Sequence, residues 1–344
     1  MPDIDLETIN TLASTPAVTS ADTLQELEAQ TSDRGLRKAI RKALYTLSQR
    51  GVVPSRKPSA AISTAPRPNI HAYSSAYDGA GNRMVILHFL DDTGGASTFA
   101  LVLVNDIAGP VTFSTFKVAR KELAAYLAKL TGGANTGLAI AQIDPDYARY
   151  VIAVGRKRIA ANKSKLPDDM LAWMPRIGDP TAEHVPGIYA HMQNWPENWH
   201  HNTDANPQSV FGTVWFDPWF LDATDTVPWL QRWEQLISPN STLDVDAAAN
   251  LRNELIADAI NGLITPDVRK QYTERLEESA DVMVRCGNHE VAQQLMLHAG
   301  AMHSEQLSTE VPFLRELVNR SLTAGVEMIW LRQKQSEEQD GSEG

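Results

Sequence analysis

The spacing of apolar residues changes twice along this chain, and those changes limit its fold more than any single motif does. Up to Leu47 the apolar positions recur at helical intervals, in Leu24 and Leu27 and then in Leu36, Ile40, Ala43, Leu44 and Leu47. Between His71 and Val118 they alternate: MVILHFL (84–90), TFALVLV (98–104) and VTFSTFKV (111–118) are rich in β-branched and aromatic residues, and HAYSSAY (71–77) leads them. The links DDTGGAS and NDIAGP are short and turn-forming, so the strands are predicted to form an antiparallel meander, which needs no crossover helices. From Ala119 the helical interval returns. The predicted fold is α+β: an N-terminal helical hairpin, a four-stranded antiparallel β-meander covered by helices, and a C-terminal antiparallel α-helical bundle.

The boundaries follow from composition. Residues 1–52 form the first helical segment, and 53–69 hold four prolines among Ser, Ala and basic residues, as a linker does. Residues 70–165 carry the sheet and its helices, with the helix from Ala119 to Leu130 placed to cover one face. Residues 166–240 read as irregular, with prolines throughout and seven of the eight tryptophans between Trp173 and Trp233. Residues 241–332 read as the bundle, in which Thr265 caps a helix that has Pro266 at its first position. The polar, acidic stretch 333–344 is predicted to be a disordered tail.

The stretch from Thr23 to Gly51, TLQELEAQTSDRGLRKAIRKALYTLSQRG, resembles one unit of a HEAT or armadillo repeat, with Asp33 between its helices followed by Leu36, Arg37, Ala39, Ala43, Leu44 and Leu47. The resemblance covers under a tenth of the chain, and a solenoid needs about three such units. It implies a concave protein-binding surface.

Charge is divided unevenly. Residues 1–165 hold 20 Lys and Arg against 14 Asp and Glu, a net +6; residues 166–344 hold 11 against 28, a net −17. Either the halves attract one another or each faces a different partner. The segment from Arg34 to Lys57 has no acid, and Arg34, Arg37, Lys38, Arg41 and Lys42 share a helical stripe opposite Leu36, Ile40, Ala43 and Leu47. Such a stripe suits phosphate or an acidic surface, or stays solvated.

Catalytic patterns are missing from the sequence. Gly132 and Gly137 have P-loop spacing, but Leu138 and Ala139 stand where Lys and Ser or Thr are needed. Cys286 reads as a small buried residue. His289 and His298 are about two and a half helical turns apart and cannot close around one zinc. No metal or cofactor is expected. His191, His200 and His201, with His184 and Asp204 nearby, lie among Trp195 and Trp199, whose spacing of four puts a helical pair on one face. Clustered tryptophans either line a ligand groove or plug a junction between layers.

The expected role is that of a non-enzymatic protein-binding or scaffold protein, cytoplasmic and off the membrane, with another protein as its partner. An enzyme or small-molecule site in 184–233, built on Trp195, Trp199, His200 and His201, is the alternative. Nucleic-acid binding through 34–57 is a second.

Overall fold

The computed structural model describes residues 6–15, 17–31, 34–49, 52, 70–90, 95–132, 137–196, 199, 204–238, 244–304 and 307–340. The chain divides into two compact units, Met1–Arg67 and Pro68–Gly344. The proline-rich stretch 53–69 lies outside the described residues.

In the first unit three helices, α1 (Leu6–Ser14), α2 (Val18–Gln30) and α3 (Arg34–Gln49), enclose Ile9, Ala21, Leu24, Ile40, Ala43 and Leu47. The predicted hairpin of α2 and α3 is therefore joined by a third helix. Ile9 and Leu12 give α1 the apolar face that seats it on the other two.

The second unit is α+β. Four strands, β1 (Ile70–Ser75), β2 (Asn82–Phe89), β3 (Ser97–Asn105) and β4 (Gly109–Val118), form the predicted meander, and a fifth, β5 (Ile140–Ile143), pairs antiparallel with β1. The sheet order is β4-β3-β2-β1-β5. Its side chains alternate between two faces, as strand geometry requires. Ala72, Val85, Leu87, Phe89, Ala100, Val102 and Val104 pack under α5 (Pro145–Ala161) and α6 (Met170–Ile177). Tyr73, Ile86, Phe99 and Val118 lie under α4 (Arg120–Thr131), whose Leu123, Tyr126, Leu127 and Leu130 are only half-buried. Asp144 sets the start of α5 by accepting from the N–H groups of Asp146 at 2.7 Å and Tyr147 at 3.1 Å, with Pro145 at the first position.

The stretch 166–240 is more ordered than its prolines suggest. It holds α6, the short α7 (Ile188–Met192) and α8 (Gln208–Phe211), and α9 (Ala223–Ile237). Pro228 falls in the second turn of α9, where it removes one intrahelical bond without ending the helix. The bundle continues with α10 (Val245–Leu263), α11 (Pro266–Arg285), α12 (His289–His303) and α13 (Pro312–Asp340). Helix α13 runs through most of the predicted disordered tail, because Gln, Lys and Glu are good helix formers and positions 333–340 hold no Gly or Pro. Residues 341–344 lie outside the described ones.

Sheet and bundle share a core. Ala76, Tyr77, Ala139 and Ala141 join Phe211, Trp219, Trp233, Leu276, Met283 and Phe313 in one apolar cluster. Trp219 serves this junction, its Nε1 donating to the Tyr77 carbonyl at 3.2 Å; Trp233 is fully buried in the same cluster, Trp195, Trp199, Trp215, Trp229 and Trp330 pack against it, and Trp173 packs on the sheet's own core. No helix among the described residues is long and apolar enough to cross a membrane.

Candidate functional site

Helix α11 is buried on both sides, and its two sides differ in chemistry. Tyr272, Leu276, Ala280 and Met283 enter the bundle core, while Arg275, Glu277, Ser279 and Asp281 are buried polar residues on its other surfaces. Burying a charge is unfavourable unless it is paired, and here partners are provided. Arg275 grips Asp106 in a fork, Nε to Oδ2 at 2.6 Å and Nη2 to Oδ1 at 3.0 Å, and its Nη1 donates to the Gly79 carbonyl at 3.0 Å. Gly81, at φ +79°, makes room for this fork: a Cβ there would stand 2.2 Å from Asp106 Oδ1.

Next along the seam, Arg83 Nη1 donates to Glu278 Oε2 at 2.8 Å, and its guanidinium lies 5.1 Å and 5.6 Å from the ring centres of Tyr77 and Tyr147. The Tyr147 hydroxyl donates to the other Glu278 oxygen. Burial holds the Tyr147 phenol well above its usual range, against the opposing pull of Arg83. The adjacent Glu277 accepts through Oε1 from the Tyr189 hydroxyl at 2.5 Å and lies 2.7 Å from His303 Nε2. Burial, then the bond to Glu277, raises the Tyr189 phenol. Asp281 accepts from Arg285 Nε at 2.8 Å and lies 3.4 Å from His191 Nε2. The Arg275–Asp106 and Arg83–Glu278 pairs join the sheet to the bundle, while Arg83 Nε and Asp281 Oδ1 are buried without a hydrogen bond among the described residues.

An open apolar surface lies elsewhere, between α9 and α13. Asp222 starts α9 by accepting from the Thr224 N–H at 2.8 Å, and α13 buries Phe313, Leu314, Leu317, Val318, Leu322 and Val326 in the core. Two bonds join the helices, Trp233 Nε1 to Thr323 Oγ1 at 3.2 Å and Trp330 Nε1 to Glu234 Oε1 at 2.6 Å, and just before α9 the Leu221 N–H donates to Ser321 Oγ at 2.9 Å. Gly325 allows close approach, since a Cβ there would stand 2.6 Å from Leu230 Cδ2. Above this contact a groove of about 820 Å³ opens, lined by Phe220, Val227, Leu230, Ala324, Met328 and Ile329, with Glu234 and Arg332 among its polar residues. Val227 is 60% exposed and Met328 51%.

Of the residues singled out in the sequence, the structure brings Trp195 and Trp199 together. Lys38, Arg41 and Lys42 lie exposed on α3, where Arg41 Nε pairs with Glu28 at 2.6 Å; Arg34 and Arg37 belong to α3, but their side chains lie outside the described ones. Trp195 and Trp199 meet edge to face at 4.7 Å and rest on the bundle core. His200 and His201 lie outside the described residues. His191 meets Asp281, and His184 lies 3.1 Å from Asp146. Among the described residues no cluster of His, Cys, Asp and Glu has the arrangement of a metal site. No family model matches the chain, and no curated protein or solved structure is significantly similar to it.

Proposed function

We propose that this chain is a protein-binding scaffold whose groove between α9 and α13 receives an amphipathic helix with a basic outer face. The observation that carries this reading is the groove itself. Two packed helices leave Val227 and Met328 largely in water above an apolar floor, the arrangement that a third helix with apolar residues at i, i+3, i+4 and i+7 fills. Charge supports the basic partner: residues 166–344 carry a net −17, Glu234 lines the groove, and Asp222 and Asp225 stand at the start of α9. A cytoplasmic setting agrees with the single cysteine, held half-buried with its thiol raised by burial. The HEAT-like reading of α2 and α3 adds a second surface to the scaffold, with Lys38 and Lys42 exposed on α3.

The test is a titration of the full chain into a labelled helical peptide of about 18 residues with Leu on one face and Lys on the other. Saturable binding is expected, weakened about tenfold or more by Val227→Glu with Met328→Glu, while circular dichroism and Tm stay unchanged. Absence of binding, or equal binding by the double variant, overturns the reading.

A further inference from the structure

The two edges of the sheet are finished differently. At β5 the outward carbonyls are occupied, Ile140 O by Cys286 Sγ and Gln142 O by Arg285 Nη1, each at 3.5 Å. At β4 no strand among the described residues pairs with the outer edge. From Val111 to Phe116 that strand carries neither a charge nor a proline, the devices that commonly blunt an open edge, and Thr112, Ser114, Thr115 and Lys117 are exposed. A row of unpaired N–H and C=O groups of this length is a template for another strand.

The charges at its ends say which kind. Lys117, Arg120 and Lys121 are exposed at the C-terminal end of β4, where Glu122 lies 3.9 Å from Lys121 Nζ. The other end lies against α5, where a Cβ on Gly155 would stand 2.9 Å from Pro110 Cδ and Asn162 Nδ2 donates to Ile107 O, and α5 and its end expose Lys157 and Lys163. We propose that the β4 edge receives an extended, acidic segment of a partner protein as a sixth strand. Backbone bonds supply the attachment, and the cations at both ends select the charge. A second copy paired about a two-fold axis would set the cationic end of one β4 against the cationic start of the other. The chain's own segment 53–69 carries Arg56, Lys57 and Arg67 and no acid, so it is repelled as well.

Three labelled peptides of about eight residues test this against the full chain: one alternating Glu with Val and Thr, one with Lys for each Glu, and the acidic one N-methylated on alternate residues. The acidic peptide is expected to bind saturably and about tenfold or more tighter than either of the others, since N-methylation removes the edge donors and leaves the charge. Thr112→Glu with Ser114→Glu is expected to lower that binding about tenfold and to leave the groove peptide unaffected, so the two proposals fail separately. No saturation overturns the inference, in favour of a second copy if sedimentation finds a dimer and of intrachain cover if it finds a monomer. Equal binding of the parent and N-methylated peptides overturns it too.

Discussion

The edges of one sheet, β5 and β4, illustrate two ways of ending a sheet. Strand β5 is four residues long and buried except at Gln142: Ile140 is 5% exposed and its carbonyl is bonded by the end of α11. Strand β4 is ten residues long and stays at the surface. The closed edge faces the polar seam that joins sheet to bundle, and closure there makes Pro68–Gly344 one unit. The open edge lies in the basic half of the chain, while the open groove lies in the acidic half. The two proposed partners, acidic at the edge and basic at the groove, would each match the charge of the half they meet.

The closed side is where substitution should cost most. Removing Asp106 with Ala leaves Arg275 buried without its carboxylate, and urea unfolding is expected to show a loss of about 3–5 kcal/mol. A loss below about 1 kcal/mol would mean that the seam is not what joins the layers. Ile140→Lys, which puts a charge into the closed edge, is expected to cost about 3 kcal/mol or more, against about 0.5 kcal/mol or less for Thr112→Lys at the open edge. Equal costs would remove the contrast between the edges.

Two buried histidines extend the comparison to pH. His88 stacks on Phe99 in the sheet at 4.4 Å, and His298 lies in the bundle 5.5 Å from Phe313. Burial lowers both to about 4, helped at His88 by neighbouring His71. A base that resists protonation when folded lends stability that is complete above its unfolded value, near 6.5, and is lost as pH falls from there toward about 4. Each accounts for up to about 3 kcal/mol over that window. His88→Leu or His298→Leu is expected to flatten the decline between about pH 7 and pH 4.5 in denaturant unfolding, and an unchanged slope would contradict the assignment. The smallest expected effect is at the groove. Val227→Glu should alter stability by about 0.5 kcal/mol or less, because the side chain is already in water.

Local pattern made the strands legible: β2 and β3 hold the apolar runs Met84–Leu87 and Phe99–Val104, rich in β-branched residues and bounded by turn-forming links. Four residues, Ile-Ala-Gln-Ile, are too few to show such a pattern, and β5 was hidden for that reason. Helix α9 was masked by Pro228, a residue that marks a break only when the bond it removes matters to the element. The tryptophan pairs were legible as spacing, and the choice between groove and plug was not, because it depends on what packs opposite them. The seam and the groove are made by long-range pairing. Arg275 meets Asp106 across 169 positions, and Tyr147 meets Glu278 across 131. His191, grouped in sequence with His200 and His201, is drawn instead to Asp281 on a helix far along the chain. No local period carries that information.

The most direct test of the groove is methyl nuclear magnetic resonance of the full chain during titration with the basic helical peptide. The Val227 methyls and the Met328 ε-methyl should shift together and saturate at one peptide concentration, while Met302 and Val102, buried in the bundle and the sheet, stay in place. Shifts confined to other methyls, or none at all, would contradict a protein-binding groove between α9 and α13.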